Sequence, residues 1–131
     1  MTKATGSFEV LSGNEERYEV REGGARLTHA WGAQTFTGDV TADGNVHWLM
    51  SYAADKTVRL VGLQRITGSV GKRTGSFVME ATADHDGRSS QGSWTIVKGT
   101  GSGQLEGIKG TGSFEAPGGP MASYELDYEL G

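Results

Sequence analysis

The sequence contains no cysteine, which excludes disulfides and thiolate metal sites and leaves the redox compartment open. It lacks an excess of basic residues, with 12 Lys and Arg against 16 Asp and Glu, a net charge of −4 and a pI near 5.3. That sign is wrong for a protein whose affinity comes from neutralising phosphates, so nucleic acid is not an expected partner. No run approaches the roughly 18 apolar residues of a membrane-spanning helix, and Met1 to Val10 lacks the apolar stretch of a signal peptide. The expectation is a soluble, cytoplasmic protein with no membrane partner. Hydrophobic residues are scarce at 35%, but they alternate regularly along the chain, which argues against disorder.

Glycine is abundant, filling 22 of 131 positions. Each glycine inside a helix costs about 0.5–1 kcal/mol against alanine, so a helical bundle is excluded. Val46, Trp48, Met50 and Tyr52 alternate with His47, Leu49 and Ser51, and Val61, Leu63 and Arg65 alternate with Leu60, Gly62 and Gln64. Period two means strands. A tight turn at Asp55-Lys56 sets Trp48 opposite Leu63 and Met50 opposite Val61. A loop at Ala42-Asp43-Gly44 sets Val40 against Val46, and Asp86-Gly87 reads as a two-residue hairpin placing Met79 opposite Trp94. With Gly71-Lys72-Arg73 as the intervening loop, one apolar face holds Phe36, Val40, Val46, Trp48, Met50, Val61, Leu63, Phe77, Met79, Trp94 and Ile96.

Strands are expected near 3–11, 26–40, 45–53, 57–69, 74–85, 88–98, 102–107, 110–116 and 121–130. In the last of them Tyr124, Leu126, Tyr128 and Leu130 share a side. With little helix to cover the sheet, residues 1–131 are expected to form an all-β domain, a single antiparallel barrel of eight or nine strands closed on itself. Thr-Gly-Ser-Phe recurs at 5–8, 74–77 and 111–114. The unequal offsets exclude a solenoid, and glycine there suits close packing of the sheet. The charged span Ser12 to Gly24 reads as a loop at one mouth, with room for a helical turn.

Motifs for familiar chemistry are missing. Gly99, Gly101 and Gly103 have no following helix to receive a pyrophosphate. Asp84-His85-Asp86-Gly87 lacks the other ligands of a calcium loop, and His29 and His47 lack the helical spacing of a zinc pair. No Gly-x-Ser-x-Gly elbow occurs. The reading is therefore that no metal and no cofactor are needed.

The order Thr35-Phe36-Thr37-Gly38, Val61-Gly62-Leu63-Gln64-Arg65, Gly75-Ser76-Phe77-Val78, Gly92-Ser93-Trp94-Thr95-Ile96-Val97 and Tyr124-Glu125-Leu126-Asp127-Tyr128 resembles a bacterial family catalogued only as domain of unknown function 3224. The likeness covers nearly the whole chain. This sequence carries Gln64 where the family's central Gly-Leu-Glu-Arg has glutamate, and Glu80 where glutamine is expected in the following strand. Such proteins are similar to allene oxide cyclase-like barrels, which implies an eight-stranded antiparallel barrel with an internal cavity. For an enzyme of that kind, the likeness implies a role for cavity shape and a buried polar group.

A cavity is where chemistry is expected. Arg65 interrupts the inward apolar row, and Tyr52, Tyr124 and Tyr128 add hydroxyls beside Trp48 and Trp94. One reading makes Arg65 a hydrogen-bonded residue near a mouth and the aromatics plain core. The other makes Trp48, Tyr52, Arg65, Trp94, Tyr124 and Tyr128 a binding pocket for a small hydrophobic molecule carrying a carboxylate or carbonyl. That pocket would open beside Glu15 to Glu22, and His29 and Trp31 would join it if a bulge corrects their parity. The function is then a carrier or sensor, or a cofactor-independent cyclase or isomerase whose candidate catalytic residues are Arg65, Tyr52 and Glu80. Glu80 and Gln64 face inward only if their hairpin slips by one residue. Leu49, Leu60, Ile66 and Val78, on the expected outer face, also suit a homo-oligomer.

Overall fold

The computed structural model describes residues 1–130. The strands are β1 (Thr2–Val20), β2 (Arg26–Gly38), β3 (Val40–Tyr52), β4 (Val58–Val70), β5 (Arg73–His85), β6 (Ser90–Ile96), β7 (Ser102–Gly103), β8 (Ile108–Ala116) and β9 (Met121–Leu130). Eight of them close into an antiparallel barrel in the order β4-β3-β2-β1-β9-β8-β6-β5, sealed by β5 against β4, and β7 is added to β5. Among the described residues the one helical element is a 3-10 turn at Glu22–Gly24. No helix of the structure is long and apolar enough to cross a membrane.

Closure buries one face of the barrel strands, apart from the exposed second half of β1. Trp94 is packed against Phe8, Phe36, Phe114 and Tyr124, with ring centroids 5.2 to 6.1 Å away. The Tyr124 hydroxyl donates to the Thr37 carbonyl at 2.8 Å and accepts from the Val40 N–H at 3.0 Å. It thereby pins the turn between β2 and β3. The connection from β6 to β8 folds back on β5, with the Gln104 N–H bonded to the Thr74 carbonyl at 2.8 Å and Leu105 buried in the core. The repeated Thr-Gly-Ser-Phe explains itself here. A Cβ on Gly6, Gly75 or Gly112 would lie 2.1, 2.0 or 2.5 Å from a carbonyl oxygen of the neighbouring segment, so only glycine permits that approach. Phe8, Phe77 and Phe114, two residues on, all point inward.

The turns differ from expectation in instructive ways. Residues 12–20, expected as a loop, continue β1 as a strand paired with β2, with bulges between Val10 and Ser12 and between Arg17 and Glu19. The hairpin at Ala42-Asp43-Gly44 does not form; β3 runs straight through it, and the chain turns at Asp39. The shift is even, so Phe36, Val40 and Val46 still point inward. The turn after β5 uses Asp86 to Ser89, and Met79 faces Ile96. Strand 102–107 shrinks to Ser102–Gly103, and its remainder makes the fold-back.

The main correction concerns β4. Trp48 pairs with Gly62 and Gln64 with Met79, so Leu60, Gln64 and Ile66 face the core while Val61, Leu63 and Arg65 face out. The cause is one extra residue in the turn before β4. Ala53 N–H bonds the Thr57 carbonyl across Ala54-Asp55-Lys56, with Lys56 at φ +75° and Asp55 Oδ1 accepting the Thr57 N–H. A three-residue turn ending in a left-handed residue shifts the register by one relative to a tight two-residue turn.

Candidate functional site

The register places side chains in rings around the barrel. At the end bearing the 3-10 turn, Arg26 pairs with Tyr52, Tyr52 with Val58, Val58 with His85, and His85 with Ser90. Opposed residues share a face, so four polar side chains and one valine form an inward-facing rim. The next ring inward is Thr28, Met50, Leu60, Ala83 and Gly92, by the same pairings. It is mostly apolar.

Rim and floor enclose a cleft of 660 Å³ lined by Arg26, Met50, Tyr52, Lys56, Leu60 and His85, among others. Glycines at 23, 24 and 87 and alanines at 53 and 54 keep its lips low. The Arg26 guanidinium carbon lies 3.7 Å above the centre of the Tyr52 ring, a cation–π stack. The Tyr52 hydroxyl donates to Glu15 Oε2 at 2.6 Å, and His85 Nδ1 meets Ser90 Oγ at 2.8 Å. Burial, followed by the hydrogen bond and charge of Glu15, raises the Tyr52 phenol above its ordinary value of 10.0, against an opposing pull from Arg26. Tyr52 therefore stays a proton donor through neutral pH.

Charge gives the cleft its character. Its lining includes Arg26, Lys56 and His85 and no aspartate or glutamate, although the chain is acidic overall. The ion pairs of the described residues join Arg21 to Glu19, Arg59 to Asp84 and Lys109 to Glu129. Arg26 and Lys56 belong to none of them. A guanidinium outside any of those ion pairs, above an apolar floor, is suited to a carboxylate on an apolar body.

The residues singled out from the sequence are spread along the barrel. Tyr52 stands at the mouth. Trp48 lies inside near the middle, half-buried beside Gly62, and Trp94 is in the aromatic core. Tyr124 is committed to the turn between β2 and β3, and Tyr128 lies toward the opposite end, its hydroxyl near Gly71. Arg65 and Glu80 are both on the outer wall and exposed, so the carboxylate does not follow Gln64 inward. Those residues do not line one pocket. His29 and Trp31 are also outside, where His29 Nε2 and His47 Nδ1 are 3.1 Å apart. Leu60 and Ile66 leave the expected outer apolar set, Leu49 is exposed as expected, and Val61 and Leu63 join it on the outside.

The rim residues Arg26, His85 and Ser90 were missed, though part of the signal was present. Arg26 has the parity of Phe36 on the same strand, and His85 that of Phe77 and Met79. The stretch from Glu15 to Glu22 does border the mouth, through Glu15.

A family model described as protein of unknown function (DUF3224) matches residues 4–128. Among solved structures, a protein with unknown function from the DUF3224 family of Shewanella oneidensis MR-1 superposes with a TM-score of 0.81 at 26% identity, over 100% of this chain and 98% of that one. No curated protein matches the chain.

Proposed function

The chain belongs to the DUF3224 family, and from that premise and the geometry of the mouth we propose that it binds a small, largely apolar molecule carrying a carboxylate. The observation that supports this reading is the cleft itself, whose lining carries the cations Arg26 and Lys56, which Glu15 borders only through the Tyr52 hydroxyl, above a floor that includes Met50 and Leu60. Its volume of 660 Å³ lies within the range of about 300–1,000 Å³ common for small-molecule sites. The aromatic core beneath closes the barrel to deeper entry, so the apolar part of the ligand rests on the floor and its charged head stays at the rim. The protein then acts as a carrier or sensor.

Decanoate and decanol, titrated by calorimetry, test this reading, because they share a chain and differ in charge. Decanoate is expected to bind and Arg26→Met to weaken it by about ten- to a hundredfold, the worth of a charge-assisted hydrogen bond. Decanol is expected to bind both proteins alike. Equal binding of decanoate to both proteins, or none to either, refutes the proposal.

A cofactor-independent isomerase or cyclase, as the likeness to allene oxide cyclase-like barrels implies, is the second reading. One observation favours it: Tyr52, a proton donor, and His85, able to accept a proton, lie on the same rim separated only by Val58. That is roughly 10 Å between backbones at ordinary strand spacing, enough to admit a substrate between them. Mass spectrometry of molecules that co-purify with the protein supplies the compound to test, and turnover of it in deuterium oxide without solvent deuterium incorporation counts against proton transfer.

A further inference from the structure

Glu15 is the carboxylate that accepts the hydrogen bond of the rim's Tyr52 hydroxyl, and it comes from an unusual place. β9 pairs with β1 only from Thr2 to Glu9, and beyond Val10, whose N–H bonds the Pro120 carbonyl at 2.8 Å, the strand is held by β2 alone. Every residue from Leu11 to Val20 is exposed. An acidic side chain on this one-sided ribbon reaches the mouth and takes the Tyr52 hydroxyl at 2.6 Å. The ring of that tyrosine carries the Arg26 guanidinium. Glu15 thus uses the donor that an incoming carboxylate would use, and its charge lies beside the cation that would attract that carboxylate.

We propose that Glu15 is an internal competitor for the anionic head of the ligand, so that binding transfers the Tyr52 hydrogen bond from Glu15 to the ligand and displaces the Glu15 carboxylate from the rim. The inference rests on the carboxylate-binding reading above and adds the residue that sets its affinity and selectivity. A neutral ligand does not displace Glu15, and an anionic one must. Two carboxylates sharing one hydroxyl and one guanidinium at close range repel each other, even in a solvent-accessible mouth. The ribbon carries the cost of release lightly, because its outer edge has no ladder to break.

Decanoate and decanol titrated into the wild type, Glu15→Gln and Arg26→Met separate the possibilities. Glu15→Gln keeps an acceptor for Tyr52 and removes the charge. Decanoate is expected to bind this variant about three- to tenfold more tightly than the wild type, with decanol unchanged and the melting temperature preserved. Decanoate binding that Arg26→Met weakens but Glu15→Gln leaves equal or weaker overturns the role of Glu15 alone and leaves the binding reading standing. Absence of decanoate binding to the wild type and to Glu15→Gln overturns both. Nuclear magnetic resonance supplies a readout independent of affinity: the Glu15 side-chain and Tyr52 ring signals are expected to shift with decanoate and not with decanol, and unmoved signals at saturation refute the displacement.

Discussion

Gln64 on β4 donates its side-chain amide to the side-chain carbonyl of Gln34 on β2, inside the barrel and across the intervening β3. On β3, Gly44 lies opposite Gln34 and Val46 opposite Gln64, and a Cβ on Gly44 would lie 3.1 Å from Gln34 Oε1 and 2.8 Å from the Phe36 ring. A missing side chain on β3 therefore makes room for a polar bridge between its neighbours. Both glutamines are buried, at 1% and 6% exposure, so neither partner has water to replace the other.

The pair should accordingly behave as a unit. Gln64→Met is expected to leave the Gln34 carbonyl unsatisfied and cost about 1–3 kcal/mol, while changing both glutamines to methionine recovers most of the loss. Urea unfolding of the two single variants and the double variant measures the coupling. Additive losses would show that the bridge contributes nothing.

Trp94→Ala is expected to be among the most damaging single changes, at about 3–5 kcal/mol, because it empties the centre of the aromatic cluster. Its indole Nε1 has no hydrogen-bond partner among the described residues. Trp94→Phe should therefore cost distinctly less than Trp94→Ala, a difference readable from thermal unfolding. Equal losses would mean that the ring's volume is not what stabilises the core.

The three Thr-Gly-Ser-Phe segments lead to a backbone prediction. At Gly75 an added Cβ meets the Ser102 carbonyl, a main-chain atom that cannot rotate away. Gly75→Ala is expected to cost about 1–3 kcal/mol through overpacking. At Gly13 nothing lies within 4 Å of that position, so Gly13→Ala should be close to neutral by the same measurement.

Much of this architecture was legible in the alternation of side chains, and the part that was not can be traced to single residues. β3 and β5 kept their inward faces although both turns around β4 were misjudged. The turn at Ala54-Asp55-Lys56 holds one residue more than a tight turn, and the turn at Gly71-Lys72, where Val70 pairs with Arg73, holds one fewer than expected. The two slips cancel for the flanking strands and fall wholly on β4. That strand gives little warning, since Val61 and Leu63 on one face are as apolar as Leu60 and Ile66 on the other. Asp55 bonding Thr57 was the local signal for the longer turn. The mouth was harder to read because β1 extends beyond its partner β9, and no periodicity reveals which strand of a barrel overhangs.

Two turn carboxylates, Asp55 and Asp86, are expected to contribute to a loss of stability in acid. Hydrogen bonds from Thr57 lower the Asp55 carboxyl below its ordinary 3.8, and backbone N–H groups of Ser89 and Arg88 do the same for Asp86. A depressed folded value favours the ionised folded state, so this stabilisation is present above pH 3.8 and disappears as pH falls through the lower folded values. Asp55→Asn with Asp86→Asn keeps acceptors in both turns and removes their titration. Urea midpoints are expected to decline less between pH 5 and pH 2 in this variant than in the wild type, and an identical decline would place the acid sensitivity elsewhere.

The two arginines give the sharpest contrast between the sequence reading and the structure. Arg65 is exposed on the outer wall, so Arg65→Met should change stability by no more than about 0.5 kcal/mol, as surface substitutions generally do, and leave decanoate affinity where it was. Arg26 stacks on Tyr52 at the rim. Arg26→Met should lose the cation–π contact, worth about 0.5–1 kcal/mol at such a site, and should lose most of the preference for decanoate over decanol. Measuring both affinities and both melting temperatures on the same pair of variants separates the roles. If Arg65→Met weakens decanoate while Arg26→Met does not, the anion is held outside the barrel and the mouth is not the site.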